Sequence, residues 1–419
     1  MIFYSSTWAS KFGTVSRWTW SRYCCHILSR RSSSHIGKPF QSVSPDISVL
    51  EIPRVPLTPT RLLHSTLTDL YSTTTSEYAL PPFDLFQLEF GYHQVLCNAE
   101  VPVSKLLSDG TEIHHLPLDL RLEIERGNDA LIPRRMLTGG SVWYAPDTSR
   151  DFRPEREKPV VCLEAVVHSS HRHSTSLGTD VWRQYGFKEH MLADCSLKIP
   201  KIWERRTLAF LPHPGTQRFS PTEIGMVSQH ASAARSKRKP LSTTAKCHSK
   251  TTILPTLLHL FNFSALTFNA HRIHYDSAYA ELEGYRAPII HGLLTSLLMA
   301  NYIRLPENGQ TAHQLSDTNK AQLPSRQPLT VSPEVVRAIE YRNFAPLYCN
   351  EPMTLCASWR YGRVLAGNIH YGKHLVWIEG SDGRLAARAN VYTSIGPEFP
   401  LEARLRKDLT NEEAFRSID

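Results

Sequence analysis

The strongest constraint on the fold is the order of elements in the second half of the chain. Leu293, Leu294, Leu297, Leu298 and Tyr302 recur at a spacing that places one apolar stripe on a single helical face. Runs rich in β-forming residues follow at 336–344, 353–359, 375–378 and 385–392, the last two separated by the turn Ser381-Asp382-Gly383. A helix followed by strands predicts segregated α+β architecture rather than alternating βαβ units.

The first half repeats the strand signal less clearly, with β-rich runs at 160–167 and 206–210 and a turn at Ser108-Asp109-Gly110. The 419 residues allow two domains plus appendages. The boundaries expected are a targeting segment at 1–40, a lead-in segment at 41–82, an N-terminal half at 83–212 and a flexible linker at 213–252. A C-terminal half at 253–396, with a loop insertion at 305–333, and a tail at 397–419 complete the chain. The lead-in segment has a short periodic patch at Leu62, Leu63, Leu67 and Leu70, which predicts a surface or capping helix.

Residues 1–40 carry Lys11, Arg17, Arg22, Arg30, Arg31 and Lys38 with many Ser, and no acidic residue precedes Asp46. That composition predicts a mitochondrial transit peptide and a matrix location. No apolar run reaches the ~18 residues a membrane span needs, so no span is expected. The net charge of +8 is carried partly by this leader and by the Ser236-Lys237-Arg238-Lys239-Pro240 cluster in the linker, so no nucleic-acid partner is expected. Eight cysteines occur without a CxxC pair, which fits a reducing compartment and argues against structural zinc.

The chemistry concentrates in Leu266-Thr267-Phe268-Asn269-Ala270-His271-Arg272-Ile273-His274-Tyr275-Asp276, followed by Glu283-Gly284-Tyr285 and His291-Gly292. It resembles the hydratase motif of MaoC-like hot dog enzymes and is similar to their hydroxyacyl-thioester dehydratase type 2 branch. Pro133-Arg134-Arg135-Met136-Leu137-Thr138-Gly139-Gly140, Glu204-Arg205-Arg206-Thr207-Leu208-Ala209-Phe210, Tyr341-Arg342, Pro346-Leu347 and Asn350-Glu351-Pro352 extend the resemblance over about 90–392. It implies a double hot dog, in which each half wraps a curved antiparallel sheet around a central helix. The implied reaction is reversible dehydration of a 3-hydroxyacyl thioester, on acyl carrier protein or coenzyme A, in mitochondrial fatty-acid synthesis. No cofactor or metal is expected, and a homodimer is allowed for.

Such a reaction needs a group of near-neutral pKa to move the proton α to the carbonyl, and hydrogen-bond donors where enolate charge grows. His274 is expected as acid/base, and the Gly292 amide, opening the apolar helix, as donor to the thioester oxygen. Asn269 is expected to position the hydroxyl or water, Asp276 to orient His274, and His291 to shape the pocket. In the wider hydratase family an Asp usually stands where Asn269 is, and Asn-Pro where His271-Arg272 is. An Asn cannot accept the proton, so a two-base mechanism is not implied. A hydratase of a short dicarboxylyl-CoA or a specialised-metabolite thioester, and an inactive acyl-carrier-binding hot dog, are the alternatives.

Other motifs carry less. Gly367–His374 spells GxxxxGK, but His374 stands where Ser or Thr would reach Mg²⁺, and the context is strand-rich. His271, His274 and Asp276 lack the helical context and companion Glu of a zinc site. His168, His171 and His173 sit in a Ser- and Arg-rich stretch that reads as a solvated loop.

Overall fold

In the computed structural model of the chain, the described residues are 46–72, 80–127, 132–145, 147–154, 156–170, 177–193, 196–211, 245–305, 335–362 and 370–395. The expected targeting segment, residues 213–244 of the expected linker, residues 306–333 of the expected insertion and the tail lie outside them.

The N-terminal half contains β1 (Asp46–Ile52), α1 (Leu57–Ser72), β2 (Arg134–Tyr144), β3 (Val160–Ser170), β4 (Leu177–Phe187) and β5 (Ile202–Leu211), besides short helices at Leu118–Glu125 and Thr148–Asp151. The C-terminal half comprises β6 (Ser249–Ile253), α2 (Leu257–Leu266), α3 (Ser277–Leu282), α4 (Gly292–Tyr302), β7 (Val335–Asn343), β8 (Met353–Gly362), β9 (His370–Glu379) and β10 (Leu385–Ile395). All the strands join one sheet in the order β1-β3-β4-β5-β2-β7-β10-β9-β8-β6. Read from either edge to the middle, the order is the same: β1-β3-β4-β5-β2 matches β6-β8-β9-β10-β7. The molecule is therefore a duplicated α+β unit, a double hot dog. Its halves meet where β2 pairs antiparallel with β7, from Gly139 opposite Arg342 to Trp143 opposite Ala338.

Helix α4 is the central helix of the C-terminal half. It is buried on every side, not only along the apolar stripe. Its polar residues tolerate this because each side chain bonds the helix backbone: Thr295 to the His291 carbonyl, Ser296 to Leu293 and Asn301 to Leu297. Helix α1 corrects the expected surface or capping helix. Leu63, Leu67, Leu70 and Tyr71 are fully buried, at a spacing that lines one face. The Tyr71 hydroxyl donates to the Leu298 carbonyl at 2.6 Å, and His259 Nε2 lies 2.7 Å from Asp69 Oδ2, which ties α1 to α4 and α2. The lead-in segment thus supplies an edge strand and core, and a strand, β6, occupies residues assigned to the linker.

The two concave faces are filled differently. Against the N-terminal sheet sits a short turn, Tyr92–Val95, held by the Tyr144 hydroxyl, which meets the Gly91 amide at 3.1 Å and His93 Nδ1 at 3.0 Å. A single turn fills less volume than the three-turn α4. A cavity of about 550 Å³ opens between the halves, with walls from β2, β4, β5, the motif and the start of α4.

Candidate active site

The motif begins where α2 ends. The Asn269 amide donates to the Ser264 carbonyl and that of Phe268 to Ala265, with Phe268 at φ 52° between them. This is a Schellman stop, and its left-handed position holds a Phe instead of the usual glycine. The stop turns Asn269 back over the cavity. Its Oδ1 accepts from the His271 amide at 3.1 Å, which leaves Nδ2 as the side chain's remaining polar group.

His271 precedes the 3-10 turn Arg272–His274, and His274 is its last residue. His274 is buried, and its Nδ1 lies 2.8 Å from the Ile289 carbonyl oxygen. A carbonyl only accepts, so Nδ1 carries the proton and Nε2 the lone pair. The Ile289 amide in turn donates to the Ile273 carbonyl, which clamps the two segments together. Burial lowers the His274 pKa to about 4, against a smaller opposing effect of the Ile289 carbonyl, so the ring is neutral at neutral pH.

His291 lies face to face with His274, ring centroids 3.6 Å apart, and its Nε2 meets Ser264 Oγ at 2.8 Å. His271 stands edge-on to His274 at 5.5 Å, with Asp109 Oδ2 3.9 Å from its Nε2. Burial lowers the pKa of His271 and of His291, and the neighbouring imidazoles add to both effects. The cluster is thus three neutral rings. Among the described residues no group of three or more His, Cys, Asp or Glu is arranged to hold a metal ion.

His291 is also the residue before α4, and no side chain caps that helix. The first helical bond runs from Thr295 to the His291 carbonyl, so the amides of Gly292 and the next residues have no partner within the helix. A Cβ on Gly292 would lie 2.7 Å from Asn343 Nδ2 and 3.0 Å from Leu137 Cδ2. Only glycine lets β2 and β7 approach the helix start this closely.

Asp276 does not take the role expected of it. One carboxylate oxygen accepts from the Tyr279 amide as the N-cap of α3, and the other accepts from Arg272 at 2.7 and 3.0 Å. Both oxygens are committed to local bonds, and the Ile289 carbonyl orients His274 instead. Asn269, His274, His291 and Gly292 all line the cavity, and Asp276 does not.

Sequence reasoning missed the contribution of the N-terminal half. The turn at Asp109-Gly110 docks on the motif: the Arg272 amide donates to the Asp109 carbonyl at 2.9 Å. Gly110, at φ 81°, has no room for a side chain, since a Cβ would lie 1.9 Å from the Ala270 carbonyl oxygen. The turn was legible, but its docking partner lies some 160 residues away. Farther along the wall, Arg183 pairs with Glu164 at 2.6 Å, Glu164 with His115 at 3.0 Å, and His115 with Glu112 at 3.0 Å. Burial opposes charge on His115, but the two carboxylates outweigh it and raise its pKa. Arg206 closes on Glu204 at 2.8 Å. Of the GxxxxGK stretch, residues 367–369 lie outside the described residues, and residues 370–374 run in β9, with His374 buried and its Nε2 2.9 Å from Thr393 Oγ1.

A duplicated hot dog with an imidazole and a helix start facing one cavity defines a class, and the comparisons place the chain within it. The sequence model described as hydroxyacyl-thioester dehydratase type 2 matches residues 91–349. The chain belongs to that family. Mesaconyl-C(4)-CoA hydratase of Chloroflexus aurantiacus is 52% identical over 54 residues, covering 13% of this chain and 19% of that protein. The mitochondrial hydroxyacyl-thioester dehydratase type 2 of Schizosaccharomyces pombe is 28% identical over 140 residues, covering 33% of this chain and 37% of that one. The match thus spans well under two thirds of either relative. Among solved structures, a MaoC-like dehydratase is 10% identical with a TM-score of 0.48, covering 85% of this chain and 99% of its own.

Proposed function

We propose that the protein is a hydro-lyase that interconverts trans-2-enoyl and 3-hydroxyacyl thioesters, with His274 as the acid/base. The observation carrying this reading is a neutral imidazole whose tautomer is fixed by the Ile289 carbonyl, lining the same cavity as the unpartnered amide that starts α4. In the hydration direction, water accepts a hydrogen bond from Asn269 Nδ2 and gives its proton to His274 Nε2 as its oxygen bonds to C3. Electron density moves to the thioester oxygen, where the Gly292 amide and the positive end of α4 stabilise it. The imidazolium then returns the proton to C2, and dehydration is the reverse. Stacking on His291 keeps the His274 ring in plane through both transfers.

The carrier we propose is acyl carrier protein or coenzyme A, and the setting is fatty-acid synthesis in the mitochondrial matrix. The acid-poor, basic leader and the mitochondrial relative support that setting. A second reading, hydration of a short dicarboxylyl thioester, is favoured by Arg135, a cavity-wall arginine whose hydrogen bond goes to the Glu112 backbone carbonyl and not to a carboxylate, and by the Chloroflexus relative.

The test is hydration of crotonyl-CoA, followed by loss of the enoyl ultraviolet band. His274→Ala should lower kcat/KM by about 10²–10⁴-fold. Asp276→Ala should keep the rate within a few-fold while lowering stability slightly through the lost cap. Full activity in His274→Ala, or none in the unsubstituted protein with any chain length, would overturn the reading.

A further inference from the structure

Three arginines line the cavity: Arg135, Arg183 and Arg206. Two are neutralised in place, Arg183 by Glu164 and Arg206 by Glu204. Arg135 is not. Its only hydrogen bond is from one terminal nitrogen to the Glu112 backbone carbonyl at 2.6 Å, and its Nε is buried without a partner. Asp109 and Glu112 are the nearest carboxylates acting on it, and both are engaged elsewhere, Asp109 by Thr111 and Glu112 by His115. The face of Phe210 covers one side of the guanidinium at 5.7 Å. Nη1, neither buried nor bonded, leaves this cation with a free donor at the cavity wall, where an anion can pair with it.

Its position limits what that anion can be. Arg135 lies two residues before Leu137 on β2, and Leu137 is the residue against which Gly292 packs. Alternate residues of a strand share a face about 7 Å apart. The charge of Arg135 is also felt by His271, which stands edge-on to His274. Arg135 and Leu137 share one face of β2, and both line the cavity that Gly292 also lines.

We infer that Arg135 is a specificity residue that receives the free carboxylate of a short dicarboxylyl thioester whose carbonyl is bound at Gly292. This rests on the proposed placement of the acyl group beside His274. A phosphate of the carrier is the other anion this chemistry could recognise, and it differs in being present whatever the acyl group.

Saturated thioesters separate the two. Succinyl-CoA and butyryl-CoA share the carrier and differ at the chain end, where one has a carboxylate and the other a methyl, and neither can be hydrated. By calorimetry the unsubstituted protein should bind succinyl-CoA at least tenfold more tightly, and in Arg135→Met that ratio should collapse to near one. Arg135→Lys, which keeps the charge but not the fork, should fall between. Turnover should follow, with fumaryl-CoA hydrated at higher kcat/KM than crotonyl-CoA. Equal binding of the two by the unsubstituted protein would overturn the inference while leaving crotonyl-CoA hydration to stand. Equal weakening of both by Arg135→Met would assign the arginine to the carrier phosphate and overturn it as well. A succinyl preference that Arg135→Met abolishes, with no hydration of any enoyl thioester, would uphold the carboxylate site and sink only the hydro-lyase reading. Should Arg135→Met fail to fold, the ratios for the unsubstituted protein and Arg135→Lys still decide.

Discussion

His274 is useful as a base because it is hard to protonate. Its burial shifts the imidazole from its ordinary 6.5 to about 4, so the neutral form that can accept water's proton predominates throughout the physiological range. Activity of the free enzyme should stay flat from pH 8 to about 5, then fall tenfold per unit below about 4 as the ring charges. The same shift governs stability, with a definite sign. The unfolded chain binds the proton more readily, so the contribution of His274 is complete above pH 6.5 and declines as pH falls towards 4. It amounts to about 3 kcal/mol, of which about 2 is lost by pH 5. His271 and His291, whose pKa values burial also lowers, add to the pH dependence with the same sign. Urea unfolding at pH 7.5 and pH 5 should therefore show a difference that His274→Phe reduces by about 2 kcal/mol and does not abolish. Asp276 shows the opposite use of a titratable group. It caps a helix and pairs with Arg272, so its conspicuous place beside the imidazole in the sequence reflects local architecture.

Helix starts and turns place these residues. Helix α4 begins at a glycine where the side chains of Leu137 and Asn343, from β2 and β7, crowd its first residue, and that glycine lines the cavity. The Asp109-Gly110 turn plays the matching part from the N-terminal half, since it pins the motif through the Arg272 amide. Gly110→Ala should therefore act on the site without touching it. A side chain at φ 81° is strained, and its Cβ would drive into the Ala270 carbonyl. The expected result is a loss of about 2–4 kcal/mol in stability. KM should also rise, because the Asn269–His274 segment loses its backing. A change in stability with unaltered KM would show that the turn supports the fold and not the site.

At the scale of the molecule, two like sheets are put to unlike uses. The C-terminal half keeps its central helix and contributes the histidines, whereas a short turn lies on the N-terminal concave face and the space left over forms much of the cavity. Neither half is complete alone. The β2–β7 pairing, the Tyr71–Leu298 bond and the α1–α2 contact all cross between them. Residues 245–395 expressed without the first half should expose β7 as an open edge and the underside of α2 and α4. That fragment should aggregate or remain partly folded by circular dichroism and gel filtration, with no crotonyl-CoA hydration. A monomeric, active fragment would show that the cavity wall from β2, β4 and β5 is dispensable.

Local pattern determined much of this protein. Helical spacing marked α4, β-rich runs and a Ser-Asp-Gly turn marked β7 to β10, and the motif singled out Asn269, His274, His291 and Gly292, all of which line one cavity. Such features are legible because periodicity and turn chemistry act over a few residues. What lies far apart in the chain was decided only by the tertiary structure. The burial of α1 depends on a partner helix some 190 residues later, and a polar, Ser- and Thr-rich context masks it. The orientation of His274 by a backbone carbonyl leaves no trace in side-chain identity. Asp276 was misread because proximity in sequence says nothing about which way a carboxylate turns. Arg135 lies in a stretch noted only as a family landmark, and it becomes informative once the fold shows which cations the neighbouring carboxylates have already claimed.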